Sequence, residues 1–248
     1  MKLALLADLH ANLEGLEACL GHAREHGAER YAFVGDLVGY GADPAAVLER
    51  VRGYLAQGAV AVRGNHDAAV ADAGGDTMNK AAEAAVDWTR RQLDAGQLEF
   101  LAGLPLTARI GEEICLVHAS ADKPADWTYV SEPTRAEQSL AAARATYVFS
   151  GHVHEQALYY QGAGGRMHHF RPVPGVAIPV PARRRWVAVV GSAGQPRDGT
   201  TAAAYALFDD AARTLTFHRV PYQWSKAAAK IRAAGLPEAL ARRLERGE

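Results

Sequence analysis

The sequence predicts an α/β fold in which two mixed β-sheets form a sandwich flanked by helices. Short aliphatic runs alternate with helical patterns through the first two thirds of the chain, as they do in βαβ units. Two later apolar runs, 203–208 and 215–220, are separated by Asp209-Asp210 and predict an antiparallel pair that closes a second sheet. The chain has 248 residues, 49% of them hydrophobic, which is sufficient for one large core.

Five strands and the helices between them follow from the hydrophobic spacing. The predicted strands are 3–7, 31–34, 59–62, 114–117 and 146–149. After the first strand, leucines recur at helical spacing from Leu13 to Leu20, and Gly27 stands where a helix would end. After the second strand, Asp43-Pro44 provides a helix N-cap with proline at the first helical position.

The rest of the chain predicts one more long helix, a loop-rich region and a helical tail. The segment 77–98 reads as a single helix inserted after the third strand, where it can act as a lid beside a site. Many Gly and Pro residues between 162 and 199 predict loops and hairpins around the apolar run 186–190. We expect one domain over 1–222, with 223–248 forming a helical tail packed on its surface.

Composition and charge limit the classes of partner and location. The net charge of −1 shows no basic bias, so a nucleic-acid partner is not expected. Cys19 and Cys115 both lie in apolar surroundings, which indicates buried thiols in a reducing compartment. Asp8 and His10 interrupt the N-terminal apolar run too early for a signal peptide, and no run reaches the roughly 20 apolar residues of a membrane helix. We therefore expect a cytoplasmic protein without a membrane partner; a homo-oligomer stays open.

Polar residues of the types that bind metal ions follow each of the five predicted strands. They are Asp8 and His10, then Asp36, then Asn65, His66 and Asp67, then His118, and finally His152 and His154. Because the carboxyl ends of parallel strands share one edge of a sheet, we expect these side chains to converge there. The set contains no thiolate, which favours a hydrolytic site for Mn, Fe, Zn, Ni or Co over a structural zinc site.

Each motif taken alone also has an ordinary structural explanation. An Asp-X-His after a strand arises by chance, Gly64-Asn65-His66-Asp67 can be a β-turn with an Asx hydrogen bond, and Gly151-His152-Val153-His154 can be a surface loop. Five such elements in order, each at a strand end, are hard to explain by coincidence. Together they predict a metal centre in which a carboxylate such as that of Asp36 bridges two ions about 3.5–4 Å apart.

These motifs resemble the five signature blocks of the calcineurin-like metallophosphoesterases, in the same order. The runs 39–44 and 191–197 resemble a bacterial branch of small single-domain members. The resemblance implies a hydrolase that attacks a phosphodiester, ester or anhydride of a small, nucleotide-like substrate with a hydroxide bridging two divalent metal ions, with manganese favoured. It implies one ion held by Asp8, His10, Asp36 and His154, and a second held by Asp36, Asn65, His118 and His152.

The resemblance also suggests roles for residues around the ions. His66 would be the general acid that protonates the leaving oxygen, with Asp67 orienting its ring. Asn12 is expected to cap the first helix, with a contact to the substrate phosphate as the alternative. Arg197 follows a glycine-rich turn and is a candidate phosphate contact.

Several functions are compatible with such a centre. Within the enzymes, a phosphodiesterase, a protein phosphatase and a dinucleoside polyphosphate hydrolase would use the same ligands. A non-catalytic scaffold with a metal site is an alternative of a different class, although such relatives lose ligands. A nuclease is disfavoured by the near-neutral charge and by the lack of a basic stripe interleaved with aromatic residues.

Overall fold

A computed structural model describes residues 1–72 and 78–248, and their strands form two six-stranded mixed sheets. The strands are β1 (Lys2–Leu6), β2 (Arg30–Val34), β3 (Val60–Val62), β4 (Thr107–Ile110), β5 (Ile114–Val117), β6 (Tyr147–Ser150), β7 (Gln156–Gln161), β8 (Met167–Phe170), β9 (Ala177–Pro179), β10 (Trp186–Val190), β11 (Ala203–Asp209) and β12 (Thr214–Val220). The predicted fold class, two mixed sheets with flanking helices, is confirmed.

Each sheet contains three neighbouring parallel strands, on one side of the first sheet and at the centre of the second. The first sheet runs β3-β2-β1-β11-β12-β9, with β1, β2 and β3 parallel to one another and β11 antiparallel to β1. The second sheet runs β4-β5-β6-β10-β7-β8, with β5, β6 and β10 parallel. The five predicted strands are therefore split between two sheets and do not share the edge of a single one.

The described residues form eight α-helices, which cover the two outer faces and one end of the sandwich. They are α1 (Leu13–Glu25), α2 (Pro44–Leu55), α3 (Asn65–Asp72), α4 (Lys80–Gln92), α5 (Ala95–Ala102), α6 (Pro133–Ala143), α7 (Trp224–Ala233) and α8 (Glu238–Arg246). Among the residues that the structure describes, no helix is both long and apolar enough to cross a membrane.

Alternation along the central strands divides the core into layers. In β1, Leu3 and Leu5 face the second sheet and pack in a cluster with Phe149, while Leu6 faces outward and packs with Leu16 of α1. All five side chains are buried, and each fully buried apolar side chain of this size contributes about 1.5–3 kcal/mol. The core between the sheets holds the strand ends of both sheets in fixed positions.

The C-terminal helices α7 and α8 pack on the main body through an apolar cluster of their own. Ile231 and Leu240 are buried in this cluster together with Ala85 of α4 and with Tyr40. Lys230 of α7 is paired with Asp43 at 2.8 Å, at the N-terminus of α2. The segment 223–248 therefore contacts the region that carries the strand-end motifs.

The structure corrects one prediction for the middle of the chain and agrees with another. The single helix predicted over 77–98 is two helices, because Leu93 is extended and Asp94 caps α5 through a reciprocal capping box with Gln97; Thr77 lies outside the described residues. The region 162–199, predicted as loops and hairpins around the apolar run 186–190, contains β8, which forms a hairpin with the preceding β7, the short β9 and the buried β10, in agreement with the prediction.

Candidate metal centre

The strand-end motifs meet at one end of the sandwich, where loops of both sheets come together. Asp8 and His10 follow β1, and Asp36 follows β2 in the first sheet. His118 follows β5 in the second sheet, and the loop carrying His152 and His154 follows β6. All of these side chains are buried, so the centre lies between the sheets and draws ligands from each.

The backbone of these loops is held in a conformation that non-glycine residues avoid. Asp8, His10, Asp36, His152 and His154 all have positive φ angles, between 45° and 68°. Each such residue costs about 1–2 kcal/mol, and strain of this kind concentrates at functional sites. Hydrogen bonds between the loops hold it in place, among them Asp8 N to the carbonyl of Gly35 at 3.0 Å and His10 N to that of Asp36 at 2.9 Å.

Four of the predicted ligands form a first cluster: Asp8, His10, Asp36 and His154 each place a ligand atom within 4.8 Å of the others. His154 Nε2 lies 3.4 Å from Asp8 Oδ1, and His10 Nε2 lies 3.6 Å from Asp36 Oδ2. Two carboxylates and two imidazoles are a ligand set suited to a hard or borderline divalent cation.

Asp36 also belongs to a second cluster, with His118 and His152. The same oxygen that faces His10, Asp36 Oδ2, lies 3.3 Å from His118 Nε2, and the other, Oδ1, accepts a hydrogen bond from His66 N at 2.8 Å. Asn65 Oδ1 lies 3.1 Å from His118 Nε2 and is the amide oxygen of this group. One carboxylate oxygen thus stands between two ligand clusters, as a bridging ligand would.

Backbone carbonyls fix which nitrogen of each ring faces the centre. Nδ1 of His10 donates to the carbonyl of Val38 at 3.2 Å, and Nδ1 of His154 donates to that of Gln195 at 2.6 Å. Both Nε2 atoms then carry lone pairs, yet they lie 3.1 Å apart and cannot hydrogen-bond to each other. Burial also holds the pKa of both rings well below the usual range. This arrangement fits a cation held by the two facing lone pairs.

Burial and neighbouring charges shift the pKa of several groups in the two clusters. Burial raises the pKa of Asp8 to about 8, although His118 acts in the opposite direction. Burial would lower the pKa of His118, but the carboxylates of Asp36 and Asp8 raise it to about 9. Burial lowers the pKa of His152 to about 3, so this ring is neutral and offers a lone pair at pH 7.

His66 lies at the wall of the cavity above these clusters. The cavity has a volume of about 730 Å³ and is lined by Asp36, Asn65, His66 and Arg197 among others. Among the described residues, Nδ1 of His66 has no hydrogen-bond partner, and burial lowers the pKa of the ring. The ring of His66 therefore lines the cavity while its Nδ1 is buried in the protein.

The predicted orienting role of Asp67 is wrong. Its Oδ1 accepts hydrogen bonds from the backbone amides of Leu37 at 2.8 Å and Val38 at 3.2 Å, and its Oδ2 accepts one from Gly64 at 2.9 Å. A carboxylate committed to three backbone amides is not available to the ring of His66. Asp67 instead ties the loop after β2 to the start of α3.

The structure separates the two predicted substrate contacts. Asn12 caps α1 through Oδ1, which accepts from Gly15 N at 3.0 Å, and its amide nitrogen donates to Gly194 O at 2.7 Å and to the hydroxyl of Tyr222 at 3.1 Å. Because the protein occupies its donors and its acceptor, the alternative of a phosphate contact is withdrawn. Arg197 lines the cavity, where Gln195 Oε1 accepts a hydrogen bond from its Nη2 at 3.0 Å.

Three aromatic residues that line the cavity were not predicted from the sequence as part of the site. Tyr129 is 51% exposed and stacks on the ring of His152 with centroids 3.9 Å apart, and Trp127 lies edge-on to His118. Tyr40 packs beside His66 at 4.3 Å. Tyr40 falls within the run 39–44 that carried part of the resemblance, but no spacing marked Trp127 or Tyr129, which reach the cavity from a loop after β5.

Comparisons with known proteins show which family this chain belongs to. The family model for the calcineurin-like phosphoesterase superfamily domain matches residues 1–212. The uncharacterized protein MJ0912 of Methanocaldococcus jannaschii is 31% identical over 246 residues, which cover 98% of this chain and 96% of that protein. The crystal structure of a metallophosphoesterase from Sphaerobacter thermophilus is 34% identical, with a TM-score of 0.87 over 100% of this chain and 99% of that one.

A more distant structure has the same fold over the whole length. The hypothetical protein PH1004 from Pyrococcus horikoshii OT3 is 22% identical and superposes with a TM-score of 0.78, covering 100% of this chain and 98% of its own. The match to the family model extends over most of the chain and includes all the residues of the two clusters. The chain therefore belongs to the calcineurin-like phosphoesterase superfamily and is a metallophosphoesterase.

Proposed function

We propose that this enzyme hydrolyses a phosphodiester, or another ester or anhydride of phosphate, in a small nucleotide-like substrate at a centre that binds two divalent cations. The observation that carries the proposal is the position of Asp36 Oδ2, which lies 3.6 Å from His10 Nε2 and 3.3 Å from His118 Nε2. Two ligand clusters that share one carboxylate oxygen are the arrangement required for two neighbouring ions.

The proposed ligands follow the two clusters. Asp8, His10, Asp36 and His154 would hold one cation, and Asp36, Asn65, His118 and His152 the other. Two bound cations would supply an acidified water and would neutralise charge on the phosphoryl oxygens. The oxygen and imidazole ligands suit Mn, Fe, Zn, Ni or Co, and Mn²⁺ is our first choice for reconstitution.

The walls of the cavity support a substrate with a phosphate and a planar base. The guanidinium of Arg197 can pair with phosphate oxygens while Gln195 holds it in place. Tyr129 and Trp127 present aromatic rings at the cavity, and such rings stack on nucleobases without regard to their sequence. A nucleotide could therefore place its phosphate above the metal ligands and its base against these rings.

His66 is the proposed general acid. Its ring lines the cavity, and no described residue forms a hydrogen bond with its buried Nδ1. Burial lowers the pKa of the free ring, and the negative charge of a bound phosphate would raise it again. A protonated His66 would then donate its proton to the leaving oxygen.

The test is a comparison of wild type with His66→Ala after chelation and reconstitution with Mn²⁺. Hydrolysis of bis(p-nitrophenyl) phosphate and of p-nitrophenyl phosphate is measured, together with the number of bound ions. We expect His66→Ala to lose about 10²–10⁴-fold in turnover, the usual contribution of a general acid, while it keeps both ions. His169→Ala, which replaces an exposed histidine of β8, is the matched control and should keep wild-type turnover.

The ratio of diester to monoester hydrolysis indicates which type of phosphate ester the enzyme prefers. Hydrolysis of a panel of cyclic nucleotides, dinucleoside polyphosphates and phosphopeptides then narrows the substrate class. A wild-type protein that binds two ions but hydrolyses none of these compounds would favour a non-catalytic scaffold. Full activity of His66→Ala would remove that residue from the mechanism.

A further inference from the structure

A group of three histidines lies outside the metal centre, at the other end of α1. His22 is in the last turns of α1, His26 is its C-cap, and His218 is on the neighbouring β12. Each offers one ring nitrogen, and these atoms all lie within 4.8 Å of one another. Ten residues separate His22 from Asn12, the N-cap beside the metal centre, which corresponds to about 15 Å of helix.

Hydrogen bonds at Nδ1 orient the two helix histidines. Nδ1 of His26 lies 2.8 Å from the carbonyl of His22, and because a carbonyl only accepts, this nitrogen must carry the proton. Nδ1 of His22 lies 2.8 Å from the hydroxyl of Tyr205, which can either accept or donate this hydrogen bond. When both Nδ1 atoms donate, both Nε2 atoms carry lone pairs. This is the usual pattern in metal-binding histidines, in which the second nitrogen donates to a protein oxygen.

His218 supplies an independent observation that points to a ligand. Its side chain is only 7% exposed, and its Nε2 is buried without a hydrogen-bond partner among the described residues. Buried polar atoms almost always have a partner, so an unpaired nitrogen on a ring whose centroid lies 5.0 Å from those of His22 and His26 calls for an explanation. Burial lowers the pKa of this ring to about 4, with His22 and His26 acting in the same direction, so that it is neutral at pH 7.

The surrounding charges are compatible with a cation. The C-terminal end of α1, where His22 and His26 lie, carries the negative end of the helix dipole. Lys2 donates from Nζ to the carbonyl of His26 at 3.3 Å, and Arg219, the other cation of this surface cavity, is ion-paired with Asp198. Both cations are thus engaged with oxygen acceptors.

We propose that His22, His26 and His218 bind a transition-metal dication of the Zn²⁺ class. Three neutral imidazoles without a thiolate or carboxylate form a tri-histidine site, which leaves a fourth position open to water. Such an ion would cross-link the end of α1 to β12. It would be structurally separate from the two cations of the phosphoesterase centre, so the proposal does not rest on their chemistry.

In the test, wild type and three variants are stripped of metal with a chelator and then dialysed to equilibrium against Zn²⁺. Elemental analysis gives the number of Zn²⁺ ions bound to each protein. His218→Ala and His26→Ala should each bind one ion fewer than wild type, or bind it more than about tenfold more weakly. His169→Ala, with an exposed histidine removed elsewhere, should match wild type. Replacing Zn²⁺ by Co²⁺ gives a second readout: the visible absorption of bound Co²⁺ should be weaker in the two site variants than in wild type, while the Co²⁺ at the phosphoesterase centre still absorbs.

The proposal is overturned if wild type and both site variants bind Zn²⁺ with the same number of ions and the same affinity. Because His218 is buried in a sheet, its variant could also lose ions through misfolding, and circular dichroism checks this. His26 is exposed, so His26→Ala gives the decisive comparison in a protein that keeps its fold. If only His26→Ala lowers the count, the helix pair binds the ion without His218 and the three-histidine site is wrong.

Discussion

At the scale of single residues, the position of the predicted ligand His118 depends on how closely its side chain can approach the backbone after β2. Gly35, between β2 and Asp36, has a φ of +84°, and a Cβ added there would lie 2.5 Å from Nδ1 of His118. His118 uses that nitrogen to donate to the carbonyl of Val34 at 2.9 Å. The absence of a side chain at Gly35 therefore allows the second sheet to deliver His118 to the first.

Gly35→Ala should cost more than its backbone strain and should weaken the cluster of His118. Gly58→Ala is the matched control, because Gly58 has a φ of +90° but no described atom within 4 Å of the added Cβ. Alanine in the left-handed region costs about 1–2 kcal/mol at both positions. We expect Gly58→Ala to lose that amount of unfolding free energy in a denaturant titration and to keep its full metal content. Gly35→Ala should lose more unfolding free energy and should bind one ion fewer. Equal metal content in the two variants would contradict the steric argument.

Asp67 provides the second prediction at this scale. In Asp67→Asn one of the three backbone amides would face an amide nitrogen, and an unpaired buried group costs about 1–3 kcal/mol. We expect Asp67→Asn to lose about 1–3 kcal/mol of unfolding free energy. The pH profile of turnover, which reports the protonation of His66, should not shift. Asp87→Asn, at an exposed position, should stay within about 0.5 kcal/mol of wild type. A shifted pH profile at unchanged stability would restore the orienting role.

The sequence predicted which polar residues come together, as the two clusters show, but not their hydrogen-bond partners. Asp67 follows His66 directly, which suggested that it orients the ring. Its acceptors are in fact occupied by Leu37 and Val38, about thirty positions earlier in the chain. Contacts over such a separation depend on how β2 and β3 pair, and a local motif carries no information about that.

At the scale of elements, buried strands were easier to predict than helix boundaries. The continuous apolar runs of β1, β5 and β10 are buried along nearly their whole length, so hydrophobicity alone marks them. The break between α4 and α5 depends on one capping box at Asp94, inside a stretch whose alanines and charges favour helix throughout. A local side-chain hydrogen bond overrides helix propensity there.

The C-terminal helices should contribute to stability through their apolar side. Leu240 of α8 is fully buried against α4 and Tyr40, so Leu240→Ala should cost about 2–5 kcal/mol in unfolding free energy. Arg242→Ala, two positions away, removes only an exposed ion pair with Glu238 and should cost less than about 1 kcal/mol. Equal and small losses in a denaturant titration would mean that α8 is detached from the main body in solution.

At the scale of the whole molecule, the metal centre is a product of the sandwich. Asp36 comes from the first sheet and His118 from the second, and they meet because the core between the sheets fixes the distance between their strand ends. Strand order along the chain does not say which strands share a sheet. The expectation of one shared edge was therefore too simple, although the side chains it grouped do converge.

The last prediction concerns the charge of the whole centre as it takes up its ions. Without metal, the pKa of Asp8 is raised to about 8 and that of His118 to about 9, so both groups are protonated at pH 7. Metal ligands must be deprotonated, and His152, with its pKa lowered to about 3, has no proton to lose at that pH. Binding of both ions at pH 7 should therefore release about two protons and become tighter as the pH rises towards 9. Calorimetry in two buffers of different ionisation enthalpy measures this release; above pH 9 it should fall towards zero, and no release at pH 7 would contradict the assignment of Asp8 and His118 as ligands.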